Sequence, residues 1–161
     1  MKKLKINKII ASGLGTGYFP VAPGTAGSVL GIILIWLVNY CLIFSISDSS
    51  LVLVLDSVAI FLITFFGYFS IKSVHKVWKH DASEIVIDEI AGVMIAAFAV
   101  PFNWKYYLAA LLLFRFFDIL KPLYIKRIDR MKNNWSVMLD DILAGVYSFI
   151  VLQALIYFKV F

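Results

Sequence analysis

The chain has 161 residues, a length that fits a single domain, and 62% of them are hydrophobic. Only 16% are charged, against about 25% in an ordinary soluble domain, so the composition argues against a soluble globular protein and predicts a membrane protein. The net charge of +5 is explained by membrane topology and attraction to anionic lipids, and nucleic-acid binding is not expected. The single cysteine, Cys41, excludes an internal disulfide and a thiolate metal cluster.

The N-terminal region combines a basic start, MKKLKINK, with a segment rich in glycine and proline. No apolar core with a small-residue cleavage site follows the basic start, so a removable signal peptide is not expected. The segment from Ala11 to Ser28 contains five glycines and two prolines, which prevent a continuous helix but let backbone N–H groups surround an anion. Thr25 or Ser28 is expected to cap the helix that follows. A flexible loop without a ligand is the alternative.

Five apolar stretches approach the roughly 20 residues that a helix needs to cross a bilayer. They run from about Ser28 to Phe44, Leu51 to Ile71, Ile85 to Phe102, Tyr106 to Leu123, and Met138 to Phe158. We therefore predict an all-α, polytopic protein with about five transmembrane helices, in which residues 1–161 form one membrane-embedded domain. Irregular backbone is expected only in the Gly/Pro-rich segment and in the cytoplasmic loops, because hydrocarbon cannot satisfy free backbone groups.

The distribution of lysine and arginine predicts a cytoplasmic N-terminus, because positive charge is enriched on the cytoplasmic side of membrane proteins. With five spans, the outer segments hold only Lys105 and Lys159, and Arg115 falls within the fourth span. The inner segments hold the other twelve basic residues: Lys2, Lys3, Lys5, Lys8, Lys72, Lys76, Lys79, Lys121, Lys126, Arg127, Arg130 and Lys132.

Five acidic residues are predicted to meet at one level of the membrane. Asp88 and Glu89 open the third span, Asp118 lies near the end of the fourth, and Asp140 and Asp141 open the fifth. All five fall on the cytoplasmic side, where water lowers the cost of a charge. Capping of helix dipoles would explain either pair at a helix start. It would not explain Asp118, which lies near a C-terminal helix end, so we favour a shared polar site.

The spacing of acids and glycines predicts close packing of the third and fifth spans. Asp88 precedes Gly92 by four residues, and Asp141 precedes Gly145 by four, so each acid shares a helix face with a small residue. Clustered carboxylates without thiolates favour Mg²⁺ as the cation.

Three further polar residues are assigned other roles. His75 and His80 flank Trp78 in a basic stretch and are predicted to lie at the membrane interface, with no part in a zinc site. Asp56, deep in the second span, is expected to be paired with another polar group or to reach towards the interface.

Four sequence blocks then carry a family resemblance. GLGTGYFPVAPGTAGS, IVIDEIAG, FRFFDILKP and VMLDDILAG occur in this order between Gly13 and Gly145. Together they resemble the phosphatidylglycerophosphatase A family of bacterial membrane lipid phosphatases. The resemblance implies a Mg²⁺-dependent enzyme of the cytoplasmic (inner) membrane that removes phosphate from phosphatidylglycerophosphate to make phosphatidylglycerol.

Site residues are carried over from the resemblance by motif. The acids expected to act in catalysis and metal binding are Asp88, Glu89, Asp118, Asp140 and Asp141. The residues expected to bind the substrate phosphate are Arg115, Lys121, Gly24, Thr25 and Ser28.

The chain has none of the usual motifs of covalent phosphatases: there is no Cys-x5-Arg, no Asp-x-Asp and no Pro-Ser-Gly-His. Attack by a water activated by Mg²⁺ is the mechanism that remains, with one carboxylate as a possible base. Two other function classes stay open. A CDP-alcohol phosphatidyltransferase also gathers aspartates at the membrane surface, but its Asp-Gly-x-x-Ala-Arg signature is missing. A transporter or non-catalytic membrane subunit would use the acids as an ion relay. The sequence does not predict the oligomeric state.

Overall fold

The computed structural model describes residues 2–45, 49–80, 82–131 and 133–160. Within these ranges the chain is helical and contains no β-strand, as predicted from its composition. Seven α-helices and one 3₁₀ helix follow in chain order: α1 (Lys2–Ala11), the 3₁₀ helix (Gly13–Tyr18), α2 (Pro23–Ser45), α3 (Ser49–Val74), α4 (Ile87–Ala96), α5 (Trp104–Leu120), α6 (Tyr124–Asp129) and α7 (Ser136–Tyr157).

Three of the five predicted spans form helices that are long and apolar enough to cross a membrane. The apolar segments are Pro23–Leu42 in α2, Ser50–Val74 in α3 and Ser136–Tyr157 in α7, with 20, 25 and 22 residues. At 1.5 Å per residue each is about 30 Å long or longer, which matches the thickness of a bilayer's hydrocarbon core. The helices α2, α3 and α7 therefore make the chain a helical membrane protein.

The third predicted span does not form one continuous helix. Within the predicted stretch of residues 85–102, only α4 is helical, and its 10 residues extend about 15 Å, half of what a bilayer requires. Eight of those residues are buried, because α4 packs against α2, α3, α5 and α7 at the centre of the molecule. The fourth predicted span, α5, has 17 residues and is also shorter than the three long helices.

The backbone beyond α4 is irregular and is stabilised by a side chain from α7. Ala99 has a φ of 56°, and Pro101 follows two residues later. The Nε2 of Gln153 donates to the carbonyl oxygens of Phe98 (3.2 Å) and Ala99 (3.4 Å). A protein donor is required here because lipid offers none to carbonyls released from a helix.

The close packing predicted for the third and fifth spans is confirmed between α4 and α7. A Cβ atom added at Gly145 would overlap the carbonyl oxygen of Gly92, and one added at Gly92 would lie 2.5 Å from the carbonyl oxygen of Asp141. The two backbones are thus in direct contact at the glycines. This contact brings the acid-bearing ends of both helices together.

The Gly/Pro-rich segment is more regular than predicted. Gly13 and Gly15 have positive φ angles of 53° and 102° within the 3₁₀ helix, but α2 already begins at Pro23. Thr25 and Ser28 therefore lie inside α2, and the prediction that either residue caps this helix is wrong. The Oγ of Ser28 donates instead to the carbonyl oxygen of Gly24, at 2.8 Å, within its own helix.

Candidate active site

A cavity of about 310 Å³ lies where the N-terminal ends of α2, α4 and α7 meet the C-terminal end of α5. The loop before α4 closes one side through Ala82, Ser83 and Ile85. Eight of the ten predicted site residues line the cavity: Gly24, Asp88, Glu89, Arg115, Asp118, Lys121, Asp140 and Asp141. Four helices thus bring together groups that are up to 117 positions apart in the chain, from residue 24 to residue 141.

Three carboxylates form the acidic centre of this cavity. Asp88, Glu89 and Asp141 each place one oxygen within 4.8 Å of the others. Asp88 and Asp141 are each 5% exposed, and the Oε2 of Glu89 is buried without a hydrogen-bond partner among the described residues. Asp88 and Glu89 lie in the first turn of α4, where the helix dipole favours negative charge. Asp140 and Asp141 lie in the second turn of α7, so helix capping does not account for them.

Burial and mutual repulsion disfavour the ionised forms of the acids in this centre. Burial raises the pKa of Asp88 well above its usual range, and the negative charges of Glu89 and Asp141 raise it further. Burial also raises the pKa of Glu89, although a hydrogen bond from Asp88 opposes the shift. A bound cation would favour the ionised carboxylates and reverse these shifts. Three closely spaced carboxylates fit a hard divalent cation such as Mg²⁺: Asp88 and Asp141 are buried, and the half-buried Glu89 has one buried oxygen without a partner among the described residues.

The other two predicted metal ligands, Asp118 and Asp140, are instead engaged by cationic side chains. The Oδ2 of Asp118 accepts a hydrogen bond from the Nη1 of Arg115 at 2.6 Å, one turn earlier in α5. Asp140 accepts from the Nζ of Lys121 at 2.7 Å. The structure thus divides the five predicted acids into a group of three and two ion-paired residues beside it.

Arg115 and Gly24 form one wall of the cavity. The Nε of Arg115 is buried and has no hydrogen-bond partner within the described ranges. A Cβ added at Gly24 would lie 2.5 Å from the Oε1 of Glu89 and 3.2 Å from the Nη1 of Arg115. The first turn of α2 therefore packs directly on both charged groups, and a larger residue at position 24 would displace the carboxylate of Glu89.

Lys121 occupies the junction after α5, with a left-handed φ of 44°. Its Nζ donates to the Oδ1 of Asp129 at 2.5 Å and to the Oδ2 of Asp140 at 2.7 Å. Burial lowers the pKa of this ammonium, but the two carboxylates outweigh burial and raise the pKa above its usual value. Lys121 is therefore a permanent cation. Sequence reasoning missed Asp129, although it is the one acid in the basic stretch of residues 121–135.

The structure does not bring the remaining predicted polar residues to the cavity. Thr25 is exposed on α2, and Ser28 is buried against its own helix; neither lines the cavity. The Nδ2 of Asn39 donates to both carboxylate oxygens of Asp56, at 3.2 and 3.1 Å, which confirms that this acid of the apolar helix α3 is paired.

The two histidines lie together, with ring centroids 4.9 Å apart. The Nδ1 of His75 is 2.6 Å from the Oδ1 of Asn134, and the Nε2 of His80 is 3.2 Å from the backbone oxygen of Asn133. These contacts join the end of α3 to the loop before α7. Neither histidine lines the cavity.

The fold and the cavity define a class: a helical membrane protein with a site of mixed charge at the ends of its long apolar helices. The sequence profile of the Phosphatidylglycerophosphatase A family matches residues 9–156, and the chain belongs to this family. Membership of the family makes the chain a phosphatase.

Three relatives support the assignment. A Haemophilus influenzae protein named Phosphatidylglycerophosphatase A is 39% identical over 157 residues, which cover 92% of this chain and 88% of the relative. An Escherichia coli protein of the same name is 33% identical, with 87% and 77% covered. A Bacteroides thetaiotaomicron protein named "Putative phosphatidylinositol-3-phosphatase" is 42% identical, with 89% of each chain covered. No solved structure matches the chain significantly.

Proposed function

We propose that this phosphatase hydrolyses the phosphate monoester of phosphatidylglycerophosphate, giving phosphatidylglycerol and inorganic phosphate. The proposal places the reaction at the cytoplasmic face of the bacterial inner membrane and makes it dependent on Mg²⁺. The observation that carries it is one cavity, at the ends of membrane-spanning helices, in which three grouped carboxylates face Arg115 and Lys121. The choice of substrate rests on the names of two relatives.

The three grouped acids, Asp88, Glu89 and Asp141, are the proposed Mg²⁺ ligands. A bound Mg²⁺ would neutralise phosphate oxygens and lower the pKa of a water molecule. These residues supply only part of the six oxygens that Mg²⁺ requires, which leaves room for waters and for the substrate phosphate. Asp118 and Asp140 are not proposed as Mg²⁺ ligands, because each already forms an ion pair with a cationic side chain.

The two cations are the proposed phosphate ligands. Arg115 uses its Nη1 for Asp118, which leaves the buried Nε for a phosphate oxygen. Lys121 has three N–H donors, and its two carboxylate partners leave one of them for the substrate. The second oxygen of Asp140, Oδ1, is buried and has no partner among the described residues. It is the proposed acceptor for a proton from the attacking water.

The position of the cavity suits a substrate that remains in the bilayer. Because the cavity lies at the ends of α2 and α7, a lipid headgroup reaches it while the acyl chains stay in the hydrocarbon. The lysine and arginine distribution supports a cytoplasmic location for this end of the molecule.

A second substrate is supported by the Bacteroides relative, whose name refers to the 3-phosphate of phosphatidylinositol. That lipid also carries a phosphate monoester on its headgroup, so the same cations and metal ligands would serve. The two candidates differ in the leaving group, which is glycerol in one and an inositol ring in the other. A direct comparison of the two lipids under identical conditions separates them.

The test is phosphate release by the purified protein in detergent, with each lipid, with Mg²⁺ and with EDTA. We expect turnover of phosphatidylglycerophosphate only with Mg²⁺, and we expect Asp88→Asn and Asp141→Asn each to lower kcat about a hundredfold or more. Asp56→Asn is the matched control, since it makes the same change in a buried acid outside the cavity. Wild-type kcat in both cavity variants would refute the metal assignment. Turnover of the inositol lipid alone would refute the substrate.

A further inference from the structure

Asp129 holds the phosphate-binding lysine from outside the cavity. It is the last residue of α6, a short helix that is anchored by the fully buried Ile125. Its Oδ1 lies 2.5 Å from the Nζ of Lys121. Asp129 is 38% exposed at its side chain and does not line the cavity, whereas Lys121 and Asp140 do.

The side chain of Lys121 starts from an irregular turn. Lys121 and Leu123 both have positive φ angles, of 44° and 53°, on either side of Pro122. The lysine side chain therefore extends from a turn and not from a regular helix, and a long lysine chain has many rotamers. Two carboxylate partners together, Asp129 and Asp140, restrict these rotamers and fix the position of the ammonium group.

The two carboxylates act on the ammonium from different sides. With Asp140 as its only partner, Lys121 would form an ion pair entirely between residues that line the cavity. The positive charge of Lys121 would then be neutralised by Asp140. Asp129, which does not line the cavity, shares the ammonium with Asp140. We propose that Asp129 is a positioning residue that keeps one N–H donor of Lys121 directed at the substrate phosphate; this inference rests on the proposed function.

The inference predicts the sign of a mutational effect. If Asp129 acted only through its charge, it would repel an anionic phosphate, and its neutralisation would improve binding. As a positioning residue it has the opposite effect. We expect Asp129→Asn to raise KM about tenfold, the effect of weakening one charge-assisted hydrogen bond, with kcat changed less than about threefold. Asp129→Glu keeps the carboxylate and should restore most of the loss.

A double-mutant cycle tests whether Asp129 acts through Lys121. We expect Asp129→Asn to have no further effect on KM in a Lys121→Gln background. Glu84→Gln is the control, because it removes an acid from the loop before α4 that does not line the cavity. An equal loss in both backgrounds, or a lower KM in Asp129→Asn alone, would overturn the inference. Thermal unfolding of each variant identifies any that fails to fold.

Binding of inorganic phosphate, measured by calorimetry in the presence of Mg²⁺, separates this inference from the proposed function. The measurement requires no turnover. If the wild type binds phosphate but hydrolyses neither lipid, the proposed substrate fails, while a weaker phosphate affinity in Asp129→Asn would still support the positioning role. If Asp129→Asn binds phosphate as tightly as the wild type does, the positioning role fails, whatever the substrate.

Discussion

The contact that Gly92 and Gly145 make between α4 and α7 should control catalysis, although neither glycine has a side chain. A Cβ added at Gly92 would lie 2.5 Å from the backbone oxygen of Asp141 and 2.5 Å from the Cε2 of Phe114. An ordinary carbon contact needs about 3.5 Å, so Gly92→Ala requires a displacement of about 1 Å. Backbone oxygen and a buried ring both resist this displacement, so the two helices must separate.

Separation of the helices moves Asp141 relative to Asp88, since each acid lies four residues before its glycine. A displacement of about 1 Å in a catalytic constellation costs about a hundredfold in rate, and overpacking destabilises a protein by about 1–3 kcal/mol. We therefore expect Gly92→Ala to lower kcat about a hundredfold at saturating Mg²⁺, and to lower the thermal unfolding temperature moderately.

The matched control for this prediction is Gly67→Ala in α3. There the nearest atoms to the added Cβ belong to side chains, the flexible Cε of Met138 at 2.7 Å and the Cγ1 of Ile87 at 3.0 Å, and no backbone atom is in the way. We expect this variant to retain near wild-type kcat. Phosphate release and thermal unfolding of both variants are the measurements. Wild-type kcat in a folded Gly92→Ala protein would refute the argument that backbone contact sets the distance between the acids.

Three further outcomes are expected. Arg115→Lys should lower kcat/KM between about tenfold and a hundredfold, because an ammonium group cannot bind both Asp118 and phosphate with the geometry of a guanidinium. Unchanged kcat/KM in steady-state kinetics would contradict a role for the guanidinium. Gln153→Leu should destabilise the fold by about 1 kcal/mol, because it leaves the carbonyls of Phe98 and Ala99 without their donor. The kcat of the folded protein should stay within about twofold of the wild-type value. An unchanged unfolding temperature would contradict the expected loss of stability. In EDTA, the free energy of unfolding should fall as the pH rises from the ordinary carboxyl pKa towards the raised pKa of Asp88, because the folded state then holds more protons than the unfolded state. Mg²⁺ should remove this pH dependence from thermal unfolding curves. The same pH dependence with Mg²⁺ would argue against metal binding at Asp88.

The pairing of Asp118 and Asp140 with cations alters the chemistry expected of the cavity. With five free carboxylates the site would strongly repel a phosphate monoester. Two of the acids instead share charge with Arg115 and Lys121, and they orient these cations towards the same space. The cavity therefore combines a centre suited to a metal ion with a cationic wall suited to an anion, and both are required to bind a phosphate close to Mg²⁺.

Sequence alone determined the features that depend on local composition and on the periodicity of a helix. Apolar content predicted helical membrane segments, and the position of each acid at the end of a segment predicted that Asp88, Asp118 and Asp141 would lie at one level, which the cavity agrees with. The four-residue spacing of acid and glycine predicted the contact between α4 and α7, because that spacing fixes a helix face.

Tertiary structure alone decided which helices are enclosed by protein and which acidic residues lie close together. Hydropathy reports how apolar a segment is, but not whether lipid or protein surrounds it; α4 is apolar because four helices enclose it, so its sequence resembles that of a full span. The choice of Asp88, Glu89 and Asp141 as the grouped acids, and the role of Asp129, depend on distances of a few ångströms between separate helices. Such distances are set by the packing of the whole bundle, and no local pattern along the chain encodes them.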